Sequence, residues 1–318
     1  MSSTASLSAE YLAITEGCGL LDRSDRGKLA LSGTDAKSFL QGQVTNDVEA
    51  LALGGGCYAA FLTPKGKMLG DLRVLDAGDE LLLDTERLSL QALFNMIRRF
   101  SVGYDAQLHK RTLERGLISL IGPSADAVLA ASAPAPREHA HRPIELARVP
   151  ARAVRTDVGI DLLCDAADTE ALMEAVAELG ATIVSELSVE IVRIERGRPR
   201  YGIDLDDSVI PQEAGLNERA VSFTKGCYVG QETVARLYYR GKPNRQLRGL
   251  RSEQPMSPGD ELALEARMVG RLTSAASSPR LGHIALGLVR REAPPGSRLT
   301  VGGAGQEAEV VELPFAAD

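Results

Sequence analysis

The spacing of apolar residues divides the chain into two regions. Up to about residue 245, short apolar runs typical of strands alternate with runs in which apolar residues recur at helical spacing. The clearest helical run lies between Glu86 and Arg99, where Leu90, Leu93 and Ile97 fall on one face. Beyond about residue 246 only short strand-like stretches remain, separated by Gly and Pro. The pattern predicts an α+β region followed by a small antiparallel β-barrel or sandwich.

Within the first region, the predicted elements alternate along the chain. The predicted strands are KLALSG (28–33), GCYAAFLT (56–63), two or three in MLGDLRVLDAGDELLLDT (68–85), GLISLIG (116–122), ARAVRTD (151–157) and GIDLLCD (159–165). The predicted helices are TDAKSFLQGQV (34–44), 86–99, PSADAVLAAS (123–132), TEALMEAVAELG (169–180) and SVEIVRIERG (188–197). The Ala/Pro-rich run AASAPAPREHAHRP (130–143) indicates a solvated loop or a domain edge, and its His139 and His141 are too few to suggest a metal site.

Composition and charge exclude several classes of function. The chain has 318 residues, 44% hydrophobic and 25% charged, which is the composition of a globular protein. A formal charge of -7 argues against direct nucleic-acid binding, because phosphates require clustered Lys and Arg. There is no signal-like N-terminal segment and no apolar stretch long enough for a bilayer, so we expect a cytoplasmic protein without a membrane partner. Nothing resembles a coiled coil, and a monomer is expected.

The four cysteines are widely separated. Cys18, Cys57, Cys164 and Cys227 form no CxxC pair, so neither a disulfide scaffold nor a zinc ribbon is indicated. Around Cys227 the chain reads KGCYVGQETVARLYYRG, where a helix from Gly230 to about Tyr238 would leave the cysteine in the loop before its N-terminus. The helix dipole and the nearby Lys225 would both favour a thiolate there. The alternative is a buried, inert cysteine in a loop shaped by glycines.

The stretch KGCYVGQE resembles the signature of the YgfZ family, folate-binding proteins that assist iron-sulfur enzymes. Every fixed position of that pattern is present, at Lys225 to Tyr228 and Gly230 to Glu232. GKLALSGTDAKSFLQGQVTNDVEAL (27–51) is similar to the N-terminal segment of the family, and RIERGRPRYGIDLDDSVIPQEAGL (193–216) to a segment shared with the glycine-cleavage T-protein. The resemblance implies three lobes around a central folate site: a discontinuous folate-binding domain (1–55 and 150–243), an inserted ferredoxin-like lobe (56–149) and a C-terminal barrel (244–318).

The resemblance implies roles for two carboxylates. Glu195 matches a T-protein glutamate that binds the pterin ring, and a carboxylate can accept two N–H bonds from the 2-amino pyrimidinone edge. Asp71 falls where the T-protein has an aspartate beside the reactive folate nitrogens, where it could stabilise positive charge or position a proton at N5 or N10. The structural alternatives are a solvated helix charge for Glu195 and a polar residue on the outer face of a strand for Asp71.

The resemblance further implies that the signature contributes to the site. Lys225, Tyr228 and Gln231 would lie near bound tetrahydrofolate, or a one-carbon derivative of it, and Arg240 could attract its glutamate tail. A solvated helix end is the alternative for Arg240. The thiolate of Cys227 could hold an iron, a persulfide or a mixed disulfide at the edge of the central cavity.

Two functions remain open at this point. The first is a tetrahydrofolate-binding accessory factor that uses Cys227 to build or repair iron-sulfur clusters in client enzymes, including tRNA-modifying ones. The second is an aminomethyltransferase or demethylase that moves a one-carbon unit to tetrahydrofolate with Asp71 at the reaction centre. The signature favours the first function, whereas Asp71 keeps the second open. Thr224 stands near the position of a T-protein arginine and cannot replace its charge.

Overall fold

The computed structural model describes residues 2–303 and 305–316. The helices are α1 (Ser2–Glu16), α2 (Ala36–Gln41), α3 (Leu90–Phe100), α4 (Ala125–Leu129), α5 (Thr169–Glu178), α6 (Glu186–Glu195), α7 (Asn217–Ala220) and α8 (Gln231–Arg240). The strands are β1 (Gly19–Asp22), β2 (Gly27–Ser32), β3 (Gly56–Leu62), β4 (Met68–Asp76), β5 (Glu80–Thr85), β6 (Gln107–Lys110), β7 (Arg115–Ile121), β8 (His141–Leu146), β9 (Val149–Arg155), β10 (Gly159–Asp165), β11 (Thr182–Ile183), β12 (Arg245–Ser252), β13 (Glu261–Leu264), β14 (Arg267–Ser278), β15 (Gly282–Arg290), β16 (Arg298–Val301) and β17 (Gln306–Val311). They form two sheets and a closed barrel, which confirms the predicted α+β fold with a C-terminal barrel.

The first sheet, here called the host sheet, has the strand order β11-β1-β7-β10-β9-β8. Its pairs are antiparallel except for β1 with β11. Leu120 and Ile160 on the sheet pack with Leu172 and Val176 of α5 in a buried core. The apolar spacing that predicted this helix is therefore the spacing that fits it to the sheet.

The second sheet, here called the inserted sheet, has the order β3-β4-β5-β2-β6. Helices α2 and α3 cover one face, where Phe39, Leu93 and Ile97 pack against strand residues such as Leu31 and Leu83. Because side chains alternate across a strand, the neighbours of these leucines point to the opposite face. That face carries buried polar residues, namely Lys28, Asp71 and Asp84 together with partly buried Arg73, and it faces the rest of the protein.

The barrel closes in the order β12-β15-β14-β13-β16-β17. Helix α6 lies against the barrel, where its Ile194 packs with Ile284 and Leu286. On its other side, Val189 of α6 packs with Ile14 of α1. Helix α6 is thus held between the barrel and α1, and its remaining face is directed toward the centre of the molecule.

The boundaries of the lobes differ from those predicted. Strand β2 lies inside the predicted segment 1–55 of the folate-binding domain, yet it pairs with β5 and β6 of the inserted sheet. Strands β7 and β8 lie inside the predicted insertion 56–149, yet they belong to the host sheet. The strands of the inserted sheet therefore span 27–110. Neither the resemblance nor apolar spacing shows which strands pair, and this is the reason for the difference.

The Ala/Pro-rich run is largely a loop, as predicted, but its two histidines are not solvated. His139 and His141 are both buried, and His141 begins β8. The amide of His141 donates to Gly54 and that of His139 to Arg155, so this segment joins the inserted sheet to the host sheet. None of the helices in the described ranges is long and apolar enough to span a membrane.

Candidate functional site

A cavity of about 470 Å³ lies where the inserted sheet, the host sheet and α6 meet; we call it the central cavity. Strands β3 and β4 contribute Tyr58, Asp71 and Arg73, and α6 contributes Val189 and Val192. The turn between β9 and β10 and the segment 196–201 complete the wall. The polar face of the inserted sheet thus forms one side of a cavity whose opposite side is helical and partly apolar.

Asp71 and Tyr58 form the centre of the inserted-sheet wall. Ala60 pairs with Asp71 and Tyr58 with Arg73 in the β3–β4 ladder, so alternation places all of these side chains on one face. The Tyr58 hydroxyl donates to Asp71 Oδ2 at 2.6 Å. Asp71 is buried, and no other side-chain hydrogen bond to its carboxylate is found among the described residues. Its Oδ1 is therefore the oxygen left for a ligand.

The environment of Asp71 raises its pKa. Burial raises the pKa of Asp71 to about 6; the Tyr58 hydrogen bond opposes this change, and the negative charge of Glu86 adds to it. Burial and the Asp71 charge also raise the pKa of Tyr58 well above its ordinary value, so Tyr58 remains a donor. A carboxyl group with this pKa can exchange a proton near neutral pH, which is the property expected of a general acid or base.

Behind Asp71, a buried ionic network fixes the wall. Arg73 contacts Asp84 at 2.5 Å and Asp161 of the host sheet at 2.5 Å. Arg26 donates to the other oxygen of Asp84 at 2.8 Å, and Ser119 donates to Asp161 at 2.6 Å. Although burial opposes it, Arg26 and Arg73 hold the pKa of Asp84 at about 2. Asp71 and Asp84 lie on neighbouring strands, yet the pKa of Asp71 is above the ordinary value for an aspartate and that of Asp84 is below it.

Partly exposed arginines line the cavity where the chain leaves α6. Arg196, Arg198 and Arg200 have side chains that are 43%, 35% and 29% exposed. Arg198 contacts Asp157 at 2.7 Å and Arg200 contacts Glu186 at 2.8 Å. Because these contacts lie near the surface, each is worth only about 0.2–1 kcal/mol and can be exchanged for an incoming anion.

Glu195 does not line the central cavity. It is 4% exposed, and its Oε1 accepts hydrogen bonds from Tyr11 at 2.8 Å and from Ser278. Arg280 lies 3.4 Å from Oε2. Glu195 lines an adjoining cavity of about 450 Å³, which shares Val192 and several other residues with the central one. Glu195 thus lies where this adjoining cavity meets α1 and the barrel, and Asp71 lies in the central cavity.

The role predicted for Lys225 requires a correction. Its ammonium group is buried and donates to the backbone carbonyls of Gln41, Val44 and Asn46. These three bonds use all of its donors, so no N–H remains for folate or for Cys227. The Lys225 Nζ also lies 5.1 Å from the centre of the Tyr228 ring, which is buried. Both residues hold the signature loop against the segment that follows α2.

The rest of the signature presents Cys227 to solvent. Cys227 is exposed, whereas Cys18, Cys57 and Cys164 are buried. Burial raises the pKa of the Cys18 thiol to about 11 and that of the Cys57 thiol to about 12. As predicted, Cys227 lies in the loop before a helix, which begins at Gln231. No residue of 222–244, all of which the structure describes, lines the central cavity, so Gln231 and Arg240 lie outside it as well.

Two groups in the cavity wall, Tyr58 and Arg219, were not predicted from the sequence. Cys57, Ala59 and Phe61 occupy every second position of β3, on the face that packs in the core. This period of two could have placed the Tyr58 side chain on the other face of the strand. Its register against Asp71 could not be found this way. Arg219 covers the Tyr58 ring, with its guanidinium carbon 5.4 Å from the ring centre. Within the described residues, no group of three or more His, Cys, Asp or Glu side chains could hold a metal ion.

Comparisons with known proteins agree with this architecture. Residues 2–225 match the family model described as the GCVT N-terminal domain, and residues 245–316 match the glycine cleavage T-protein C-terminal barrel domain. An aminomethyltransferase of Streptomyces avermitilis is 31% identical over 96% of this chain and 88% of its own length. One of Thermotoga petrophila is 30% identical, with coverages of 98% and 89%.

A solved structure extends the similarity to the arrangement of the lobes. The glycine cleavage system aminomethyltransferase T of Bartonella henselae superposes with a TM-score of 0.87 at 25% identity, covering 98% of this chain and 90% of that one. Both sheets and the barrel are thus common to the two proteins. The chain belongs to the glycine-cleavage T-protein family.

Proposed function

We propose that the protein binds tetrahydrofolate in the central cavity and transfers a one-carbon unit beside Asp71. The observation that carries this proposal is the pairing of a buried carboxylate, whose pKa lies at about 6, with the Tyr58 hydroxyl in the cavity wall. The names of the relatives support it, because those of Streptomyces avermitilis and Thermotoga petrophila are aminomethyltransferases.

The residues around the cavity fit a reduced folate. Asp71 Oδ1 can accept an N–H bond, and Val189 and Val192 offer an apolar surface to a flat ring. Arg196, Arg198 and Arg200 can bind the carboxylates of the glutamate tail in exchange for their surface partners. A reduced folate supplies nitrogens that carry the one-carbon unit. The volume of about 470 Å³ lies in the range of small-molecule sites.

In this proposal, Asp71 holds or moves a proton and Tyr58 keeps the carboxylate in place. With a pKa of about 6, Asp71 is mostly ionised at neutral pH but can be protonated at small cost. In its ionised form it opposes positive charge that develops on a ligand nitrogen nearby. Glu195 is already bonded by Tyr11 and Ser278, so its contact with a pterin stays a prediction that requires those bonds to rearrange.

The test compares Asp71→Asn with Asp165→Asn, which removes a side chain that is 65% exposed and lies outside the cavity. Tetrahydrofolate affinity is measured by calorimetry, and transfer of a one-carbon unit by the mass of the folate product. We expect Asp71→Asn to lower the transfer rate at least about 100-fold, the usual size of a general acid–base contribution, and Asp165→Asn to leave it unchanged. Wild-type protein that binds no folate would contradict the proposal.

A second function is favoured by one observation: of the four cysteines, Cys227 is the exposed one, and it lies in a loop held in place by Lys225. We propose that a YgfZ-like accessory role in iron-sulfur cluster assembly or repair uses this thiol at the surface, away from the folate. The four fixed residues Lys225 to Tyr228 and the exchange of the T-protein arginine for Thr224 support this alternative.

The accessory function is tested with Cys227→Ser and a matched control, Gly226→Ala, whose added methyl group would meet no atom within 4 Å. Each variant is assayed for folate affinity and for restoring an iron-sulfur tRNA-modifying enzyme in cells that lack the native protein. If only Cys227→Ser loses restoration while both variants keep folate affinity, Cys227 acts on clusters. If both variants restore it, the accessory function fails and the one-carbon function stands alone.

A further inference from the structure

A second cavity, of about 290 Å³, lies between the inserted sheet and the host sheet. Its walls come from β2, β4 and β5 on one side and from β9, β10 and the segment before β7 on the other. We call it the sheet-interface cavity. Asp84 lines this cavity and is paired with Arg73, which in turn is paired with Asp161. Arg73 and Asp161 both line the central cavity. The buried ionic network therefore forms a wall between two separate cavities.

The side chain that distinguishes this cavity is Arg152 of β9. Among the described residues its guanidinium forms no ion pair with a carboxylate, and its hydrogen bond goes to His141 Nδ1 at 2.9 Å. His141 Nε2 lies 3.1 Å from the Gly55 carbonyl, so this nitrogen carries the proton and Nδ1 accepts from Arg152. Burial and the Arg152 charge lower the pKa of His141, which keeps the imidazole neutral. Arg152 thus contacts a neutral partner.

A partly buried cation without a carboxylate is unfavourable unless a ligand supplies one. Burial lowers the pKa of Arg152, although Asp79 and Glu80 oppose this change. Glu80 is engaged by Arg111, and Asp84 by Arg26 and Arg73, so neither is free to neutralise Arg152. A guanidinium presents a planar fork of donors that matches a carboxylate. Exposed Asp79 forms no ion pair with Arg152 either, so a carboxylate in direct contact with Arg152 is what this cavity lacks.

The rest of the lining defines the body of the ligand. Apolar side chains also line the cavity, among them Leu75, Leu82, Pro143, Pro150 and Leu163. Arg111 and Arg115 line it as well, but they are paired with Glu80 and Asp165. Lys28 lies in the same wall and is 3% exposed; its ammonium donates to the carbonyls of Ser24 and Arg26, which leaves one N–H. An acid with a short aliphatic chain satisfies both the charged end and the apolar wall.

We propose that the sheet-interface cavity binds a small aliphatic carboxylate, whose carboxylate pairs with Arg152 and whose chain contacts the leucine and proline side chains. This site is separate from the folate proposal, because none of its contacts involves Asp71 or Cys227. Two sources share this chemistry, an amino acid and an acid without the amino group. Exposed Asp79 lies at the same cavity and would favour the amino acid by pairing with its ammonium group.

The experiment titrates the full-length protein by calorimetry with isovalerate, 4-methyl-2-oxopentanoate, leucine and, as the uncharged analogue, 3-methylbutanol. We expect saturable binding of at least one acid and none of the alcohol. Arg152→Gln should weaken that binding at least about tenfold, which corresponds to about 1.4 kcal/mol. The matched control Arg142→Gln removes an exposed arginine of β8 outside the cavity and should change nothing. A preference for leucine over the 2-oxo acid assigns a role to Asp79.

Two further variants keep the test decisive. Leu82→Trp narrows the cavity without changing a charge and should also abolish binding, which provides a second measurement if Arg152→Gln fails to fold. Asp71→Asn should bind the acid as the wild type does, so failure of the folate proposal leaves this result intact. Absence of saturable binding by the folded wild type up to about 10 mM, a free energy weaker than about -3 kcal/mol, overturns the proposal. Equal affinity in Arg152→Gln overturns it as well.

Discussion

Replacing Asp71 by Asn should stabilise the fold at neutral pH while it impairs function. Burial raises the pKa of this carboxyl from 3.8 to about 6, so its ionised form is disfavoured in the folded state by about two pKa units. At about 1.4 kcal/mol per unit, ionised Asp71 costs the fold about 3 kcal/mol. Asn has the same shape and its amide oxygen can still accept from Tyr58. Allowing for coupling to Glu86 and Asp84, we expect a gain of about 1–3 kcal/mol at pH 8.

The gain should depend on pH in a defined direction. Because the folded-state pKa is the higher one, wild-type stability falls as pH rises from about 4 through about 6 and then levels off. At pH 5 only a small fraction of Asp71 is ionised in the folded protein, and burial of Asp71 then lowers the free energy of unfolding by only about half of the full 3 kcal/mol. The free energy of unfolding is measured by urea denaturation of wild type and Asp71→Asn at pH 5, 6, 7 and 8. The stabilisation should grow across this series and reach a plateau above pH 7.

Asp84→Asn is the matched control with the opposite sign. Asp84 lies on the neighbouring strand and is equally buried, but Arg26 and Arg73 hold its pKa at about 2. Replacing Asp84 removes a negative partner from the buried guanidinium groups of Arg26 and Arg73. The free energy of unfolding should therefore fall by about 3–5 kcal/mol at pH 8. Equal stabilities of wild type and Asp71→Asn at every pH would refute the reasoning, because burial would then not oppose ionisation of Asp71.

Three further predictions concern residues outside the central cavity. Lys225→Met should lower the free energy of unfolding by about 2–4 kcal/mol in urea, because three backbone carbonyls lose their donor; Lys242→Met, at an exposed position, is its control. Glu195→Gln should cost about 1–2 kcal/mol in the same assay and, if the predicted pterin contact forms, should lower tetrahydrofolate affinity by calorimetry at least about threefold; a loss of stability with unchanged affinity would limit Glu195 to its contacts with Tyr11 and Ser278. Gly230→Ala should lower the melting temperature, because Gly230 has φ 84° and its added methyl group would lie 2.6 Å from the Thr63 carbonyl; Gly226→Ala should not.

Elements set by local pattern were predictable from the sequence. The helical spacing of Leu90, Leu93 and Ile97 predicted α3, and the late Gly- and Pro-separated strands predicted the barrel. Asp71 was placed on a strand, and the loop position of Cys227 before a helix was also predicted. Each of these features depends on residues that are close in sequence.

Features that depend on distant partners could not be predicted. Lys225 was expected to act on Cys227, but its acceptors lie about 180 residues earlier in the chain. Glu195 was expected to bind the pterin ring, but its hydrogen bond from Tyr11 of α1, 184 positions earlier, was not predicted. The position of β2 in the inserted sheet likewise follows from pairing with β5 and β6. Local spacing contains no information on such distant partners.

The strands of the host sheet come from parts of the chain on both sides of the inserted sheet, and this affects the order of folding during synthesis. Every strand of the inserted sheet lies within 27–110, so that sheet can be completed as soon as this segment has left the ribosome. Strand β1, in contrast, must wait for β7 and for β11, which follows it by about 160 residues. Contacts between residues this far apart form slowly because closing long loops costs entropy. We therefore expect the nascent chain to carry a folded inserted sheet while β1 is still unpaired, and chaperones to meet the protein in that state.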